Sequence, residues 1–273
     1  MHRATLPAVV LALLVASAGC TPRPTAATIG APSRADDHPS ASAAADAADT
    51  GAVGYRQVPA SADGIGRTYF GREIASVMGW QGAGWLEREE REREERGSVL
   101  LRELDVRPGM QVADIGAGTG WHARRLAPLV GPGGKVFAVD VQPQMVERLE
   151  ALAATPGFDN VVPVLGGERD PALAAGSIDL ALMVDVYHEL AWPSEMLDAL
   201  ARALRPGGRL VLVEYRGEDD GVPIKPLHRM TEAQVRREVE RPGLVWERTG
   251  RSLPWQHVVV FRKVAPPGQA TRR

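Results

Sequence analysis

Val112-Ala113-Asp114-Ile115-Gly116-Ala117-Gly118-Thr119-Gly120 is an apolar run that carries one acid and passes at once into a glycine loop. The apolar residues through Ile115 fit a strand covered on both faces of a sheet. Gly116, Gly118 and Gly120 remove side chains where the backbone must turn tightly and a flat ligand must approach closely. Asp114 sets a carboxylate at the carboxyl end of that strand, where open α/β sheets bind their ligands. The pattern is Asp-x-Gly-x-Gly-x-Gly.

A nicotinamide site asks for Gly-x-Gly-x-x-Gly, with the pyrophosphate resting on the next helix. Here the third glycine comes one residue too early, and the carboxylate would repel a pyrophosphate while attracting an ammonium group. A dinucleotide-dependent oxidoreductase is therefore disfavoured. The segment resembles the first motif of the class I S-adenosylmethionine-dependent methyltransferases. That resemblance implies a cofactor, S-adenosylmethionine, whose methionine part is held by Asp114 and the loop Gly116, Ala117, Gly118 and Gly120.

The chain beyond the loop agrees. Gly131-Pro132-Gly133-Gly134 forms a turn into a second strand, Lys135 to Asp140, and Asp140 lies 20 residues after Gly120. That interval suits one helix and one strand. A carboxylate there can accept both ribose hydroxyl protons; Val141 follows it and is assigned to the same site. Pro143 then opens a helix with Val146, Leu149 and Ala153 on one face. The third strand, Asn160 to Leu165, precedes Glu168 and Asp170. In the family an acid or amide here lies near the adenine amino group; Asp170 is preferred, with Glu168 as the competitor, and the alternative is that both are solvated loop acids.

A fourth strand, Ile178 to Asp185, runs into Val186-Tyr187-His188-Glu189-Leu190. The resemblance implies that this strand end faces the transferring methyl group. His188 is the candidate general base, because an imidazole titrates near neutrality; the alternative is that it only packs on the cofactor or bonds a loop. Asp185 is assigned to the cofactor, and both it and Glu189 are placed to orient His188 or bind a cationic substrate. A helix through Leu197, Leu200 and Leu204 leads to Pro206-Gly207-Gly208 and a fifth strand, Arg209 to Tyr215. That turn and strand resemble the ubiquinone-biosynthesis-like branch. Two further strands, Leu244 to Thr249 and Trp255 to Lys263, match the antiparallel end of the fold. The resemblance covers roughly residues 65 to 264. The expected architecture is a doubly wound α/β sheet of seven strands, mostly parallel, with an antiparallel C-terminal hairpin strand.

Substrate candidates are Tyr187 and, beyond the fifth strand, Lys225, His228 and Arg229. For the basic ones, ordinary surface charge is the alternative and is slightly favoured. Thr231 and Gln234 form a capping-box pattern at the start of a helix, and His257 either reaches the same cleft or pairs across the hairpin.

With 32 basic and 34 acidic residues the net charge is −2, so no strong field points to nucleic acid. Leu86 to Arg96 is almost purely charged. Glu87 with Arg91, Glu89 with Arg93 and Glu92 with Arg96 stand four apart in the favourable order, which reads as a solvated helix. Just upstream, Tyr69, Phe70, Trp80 and Trp85 suggest either a lid over the cofactor or a structural cap. One cysteine, six scattered histidines and no His-x-x-x-His pair give no expectation of a metal site.

The N-terminus is of another kind. After Arg3 an apolar run through Val15 is too short to span a bilayer comfortably. It is followed by Ala16-Ser17-Ala18-Gly19-Cys20, a signal peptide with a lipobox-like end in which Cys20 is the lipidation candidate; cleavage after Ala18 is the alternative. The expected division is a signal peptide at 1–19, a disordered tether at 20–60, a helical cap at 61–108, a methyltransferase domain at 109–264 and a disordered tail at 265–273. The expected protein is an exported, lipid-anchored bacterial enzyme that methylates a small molecule and meets a membrane only through that anchor. A binding module without turnover, and a cytoplasmic location with an inefficient signal, are the alternatives.

Overall fold

A computed structural model describes residues 54–241 and 243–264. The central sheet contains β4 (Gln111–Ile115), β5 (Lys135–Asp140), β6 (Val161–Leu165), β7 (Ile178–Val184), β8 (Leu204–Arg216), β10 (Leu244–Gly250) and β11 (Gln256–Lys263). Their order across the sheet is β10-β11-β8-β7-β4-β5-β6. The pairs from β6 to β8 are parallel, while β11 runs antiparallel to both β8 and β10. A two-residue strand, β9 (Arg229–Met230), pairs with the end of β8. The expected fold class holds.

The uninterrupted apolar runs of β4, β7 and β8 have a simple cause. Successive side chains point to opposite faces, and both faces are covered. Ala113, Ile115, Ala181, Met183, Leu210 and Leu212 face one core, with α6 (Pro193–Ala203) and α7 (Glu232–Val239). Val112, Leu180, Leu182, Val211 and Val213 face the other, with α3 (Gly97–Glu103), α4 (Ala123–Val130) and α5 (Pro143–Ala153). Pro206-Gly207-Gly208 is a bulge within β8: pairing slips from Ile178↔Leu204 to Leu180↔Arg209 across it.

The segment expected as a helical cap begins as a sheet. β1 (Tyr55–Gln57), β2 (Gly64–Tyr69) and β3 (Arg72–Ala75) form an antiparallel three-stranded sheet, so described structure starts inside the expected tether. Short helices α1 (Ala83–Leu86) and α2 (Arg91–Glu95) follow it. Tyr55, Tyr69 and Ile74 are its buried core, packed against Phe70 and Trp192. The Tyr55 hydroxyl donates to Glu195 Oε2 at 2.7 Å and accepts from the Ser194 N–H at 2.9 Å, which ties the sheet to the start of α6.

The charged run is not a continuous solvated helix. It breaks between α1 and α2, and none of the three expected i,i+4 ion pairs is found among the described residues. Arg91 and Glu95 are instead buried and pair with each other at 2.8 Å; Arg88 reaches the same Glu95 at 2.6 Å. A buried aromatic and a half-buried apolar neighbour explain the turn inward: Trp121 lies under the Arg91 guanidinium at 4.6 Å, and Leu86 lines the cleft. The signal peptide, Cys20 and the C-terminal tail lie outside the described residues.

Candidate functional site

A cavity of about 580 Å³ opens at the carboxyl ends of β4, β5 and β7, within the range of sites for nucleoside-sized ligands. It lies where β4 has its chain neighbours on opposite sides, the switch point of a doubly wound sheet. The glycine loop forms one wall. Gly116 has φ +70° and a Cβ there would stand 2.6 Å from Val186, so the backbone itself faces the cavity.

Asp114 is 2% exposed at this wall, and its Oδ2 has no hydrogen-bond partner among the described residues. Burial pushes its carboxyl up to about 7, opposed by the Arg91 charge and the Ala123 N–H. An acid kept in so dry a place without a partner calls for a cationic ligand. Asp140 is also buried; its Oδ2 accepts from the Gly118 N–H and its Oδ1 from the Gln142 N–H, both at 2.9 Å. These bonds fix the carboxylate between loop and cavity, while burial raises its titration. Val141, also in the wall, is partly exposed.

Glu168, not Asp170, lines the cavity beside Gly167. Asp170 lies outside it, exposed, with Oδ1 accepting from the Ala172 N–H at 2.8 Å in a local turn. The preference for Asp170 is thus corrected by the path of the loop, which turns back before reaching it.

Asp185 follows β7 directly at φ +55°, a strained value for a residue with a side chain. One oxygen accepts from Gln256 Nε2 at 3.2 Å, the other has no partner among the described residues, and burial drives its titration well up. His188 follows on a single 3-10 turn. Its Nδ1 stands 2.5 Å from Glu214 Oε2, and because a carboxylate only accepts, Nδ1 carries the hydrogen. The second Glu214 oxygen accepts from the Tyr187 N–H at 2.9 Å. His188 Nε2 then faces His228 Nδ1 at 3.0 Å. Burial pushes His228 down to about 4, with the neighbouring His188 next in effect.

The other candidates separate. Tyr187 is fully buried and absent from the cavity wall, so it is a core residue rather than a substrate contact. Its neighbour position on the 3-10 turn sends it inward while His188 faces the cavity. Lys225 lines the mouth and bonds Asp63 at 2.5 Å. Arg229 turns away to the Asp219 carbonyl, and His257 is buried in β11 opposite Glu214, outside the cavity.

Of the aromatics read as a lid or a cap, only Trp85 reaches the far wall; the other residues of that wall were not foreseen. Asp63, Ile65, Met78, Trp85, Leu86 and Arg91 close the cavity from the N-terminal segment. The Met78 N–H donates to Glu189 Oε1 at 3.2 Å, the Trp80 N–H to Gln142 Oε1 at 2.7 Å, and Gln142 Nε2 returns a bond to the Met78 carbonyl at 3.1 Å. Glu87, from the charged run, accepts from Thr119 of the glycine loop and from Arg124. The segment thus sits over the cavity in the position of a lid. Sequence reasoning also missed that His188, Glu189 and His228 meet, with one donor atom of each inside 4.8 Å.

Residues 112–208 match a family model described as a methyltransferase domain. This part of the chain is similar to methyltransferase domains. A SAM-dependent methyltransferase from Aquifex aeolicus superposes with a TM-score of 0.65 at 26% identity, covering 69% of this chain and 100% of that one. Nocamycin O-methyltransferase of Saccharothrix syringae is 37% identical over 116 residues, 41% of this chain and 40% of that protein. The protein-L-isoaspartate O-methyltransferase of Aeropyrum pernix is 34% identical over 116 residues, 41% and 42% of the two chains. The matched region thus spans less than half the length of these curated relatives. The cofactor of the Aquifex aeolicus protein is S-adenosylmethionine. The residues fit it: the unpartnered Asp114 oxygen suits its ammonium, the side-chain-free loop admits it closely, and Asp140 presents a fixed acceptor.

Proposed function

We propose that the protein is an S-adenosylmethionine-dependent methyltransferase acting on a small-molecule acceptor. The observation that carries this reading is the buried Asp114 carboxylate with an unpartnered oxygen, facing a cavity also lined by His188, whose far side is held by Glu214. In this reading Asp114 and the Gly116 to Gly120 loop hold the methionine part, Asp140 the ribose, and Val141 and Glu168 flank the adenine. Arg91, positive and in the wall, faces the cofactor's carboxylate. Asp185, with its strained backbone and unpartnered oxygen, bounds the methionine end.

The bound cofactor supplies a methyl group activated on a sulfonium centre. The protein's part is to hold the acceptor close and aligned, and to keep water away. The lid performs the second task; Met78 and Trp85 supply apolar cover. His188 acts at the acceptor end, oriented by Glu214, with Lys225 and His228 at the mouth. A cavity open on one side and covered by its own chain favours a small acceptor over a macromolecule. The Pro206-Gly207-Gly208 segment supports membership of the ubiquinone-biosynthesis-like branch.

For location, we propose an exported protein anchored through lipid on Cys20; the support is the apolar run and the small residues before that cysteine. Replacing Cys20 by Ser is expected to move the protein from the membrane fraction to the soluble fraction.

Calorimetric titration of the purified protein with S-adenosylmethionine and S-adenosylhomocysteine tests the central reading. Both are expected to bind; failure of both to bind sinks it. His188→Ala is expected to keep cofactor affinity within about threefold while turnover falls by about 10²-fold or more. Unchanged turnover would remove His188 from the reaction.

A further inference from the structure

We infer that His188, Glu189 and His228 form a binding site for a divalent first-row transition metal, of the zinc or cobalt kind, at the acceptor end of the cavity. His188 Nε2 and His228 Nδ1 are 3.0 Å apart, and Glu189 Oε1 lies 3.9 Å and 3.6 Å from them. Ligands at about 2.0–2.2 Å in a tetrahedral shell stand roughly 3.3–3.5 Å from one another. One edge of the triangle is a few tenths of an ångström shorter than that spacing and two are slightly longer, so small side-chain adjustments suffice to seat an ion.

The tautomer points the same way. Glu214 Oε2 takes the Nδ1 hydrogen of His188 at 2.5 Å, which leaves a lone pair on Nε2, aimed into the cavity. This is the carboxylate–histidine arrangement that orients metal-binding imidazoles. Glu214 is itself fixed by the Tyr187 N–H, and Arg72 donates to the His188 carbonyl at 3.1 Å, so the 3-10 turn that carries two of the ligands is held from both sides. Glu189 is held by the Met78 N–H of the lid.

Three residues line one wall of the cavity and leave the remaining coordination positions facing its interior. Two histidines and a carboxylate with open positions suit a metal that takes a further ligand. An anionic oxygen or sulfur of the acceptor is the ligand that chemistry selects. That last step rests on the methyltransferase reading; the metal site itself does not.

The test is equilibrium binding of Zn²⁺ and Co²⁺ to the full-length protein stripped by chelator, with the visible spectrum of the Co²⁺ form as a second readout. One equivalent is expected to bind. His228→Ala, at the partly exposed position, and Glu189→Gln are each expected to weaken binding at least tenfold, and Glu214→Gln by about 10–100-fold through His188. S-adenosylhomocysteine affinity, measured on each variant, reports that it is folded and that the cofactor half is intact. Absence of stoichiometric binding to the wild type, or binding unaltered in His228→Ala and Glu189→Gln, overturns the metal site and leaves a hydrogen-bonded histidine pair. Metal binding without any binding of the sulfur cofactors overturns the methyltransferase reading alone.

Discussion

Asp114 shows how a single residue can cost stability for the sake of a ligand. Its folded-state titration stands near 7, against about 3.9 for an unfolded aspartate. A raised value means the native state holds a proton that the unfolded chain has released. Its contribution is therefore fully present below about pH 4 and is lost as pH rises through about 7. Asp114→Asn is expected to stabilise the ligand-free protein at pH 8 by on the order of a few kcal/mol, with the gain shrinking toward pH 4. Urea unfolding at the two pH values measures it. The same substitution removes the partner for the cofactor ammonium, so affinity should fall at least tenfold. In the wild type, affinity should rise with pH between 6 and about 7.5 as Asp114 ionises, and this rise should vanish in the variant. A variant less stable at pH 8, yet binding as before, would contradict both arguments. The positions of Asp114 and the loop were legible from short spacings at the end of β4, and that of Asp140 because it ends β5, the next strand, which pairs with β4. The meeting of Glu189 with His228 was not, since 38 residues, among them the whole of α6 and β8, lie between them in sequence.

Among the elements, the central strands follow from composition: residues buried on both faces must be apolar throughout, and each run ends where the chain must turn. Thr231 likewise caps α7, its hydroxyl accepting from the Gln234 N–H at 3.1 Å. The Gln234 side chain goes elsewhere, to Glu238 at 2.7 Å, so only half of the capping box forms. The N-terminal sheet was hidden for the opposite reason. Strands of three to six residues, one of them carrying Gly64 and Gly66, are too short for alternation to register. The charged run misled because i,i+4 spacing describes an isolated helix surface, whereas here Trp121 and the cavity draw Arg91 and Glu95 inside. Removing one member of such a pair leaves a buried charge. Arg91→Met is expected to destabilise by about 2–4 kcal/mol, softened by Arg88, which also holds Glu95. Arg91→Met with Glu95→Met should recover most of that loss. Thermal unfolding of the two variants decides; equal losses in both would mean that packing, not the pair, holds α2.

For the molecule as a whole, the described chain divides into a strongly packed sheet and a lid held mainly by polar contacts. Strands β7, β8 and β11 are fully buried through their centres. The lid is joined to the cleft by the Met78, Trp80 and Gln142 bonds, by Glu87 on the glycine loop and by Lys225 on Asp63. Polar contacts of this kind, partly open to water, break at lower free energy than core strands. A cofactor seated between Asp114, Asp140 and Arg91 touches both parts, so it must pin the lid while adding little to strands already protected. Hydrogen exchange with and without S-adenosylhomocysteine is expected to slow amides from Met78 to Arg96 by about tenfold or more and to leave β10 nearly unchanged. Gln142→Ala, which removes the clasp from the cleft side, should raise lid exchange in the free protein and reduce the protection that the ligand confers. Uniform slowing across lid and sheet would instead show that the ligand acts on global unfolding, and that the N-terminal segment is a fixed wall rather than a lid.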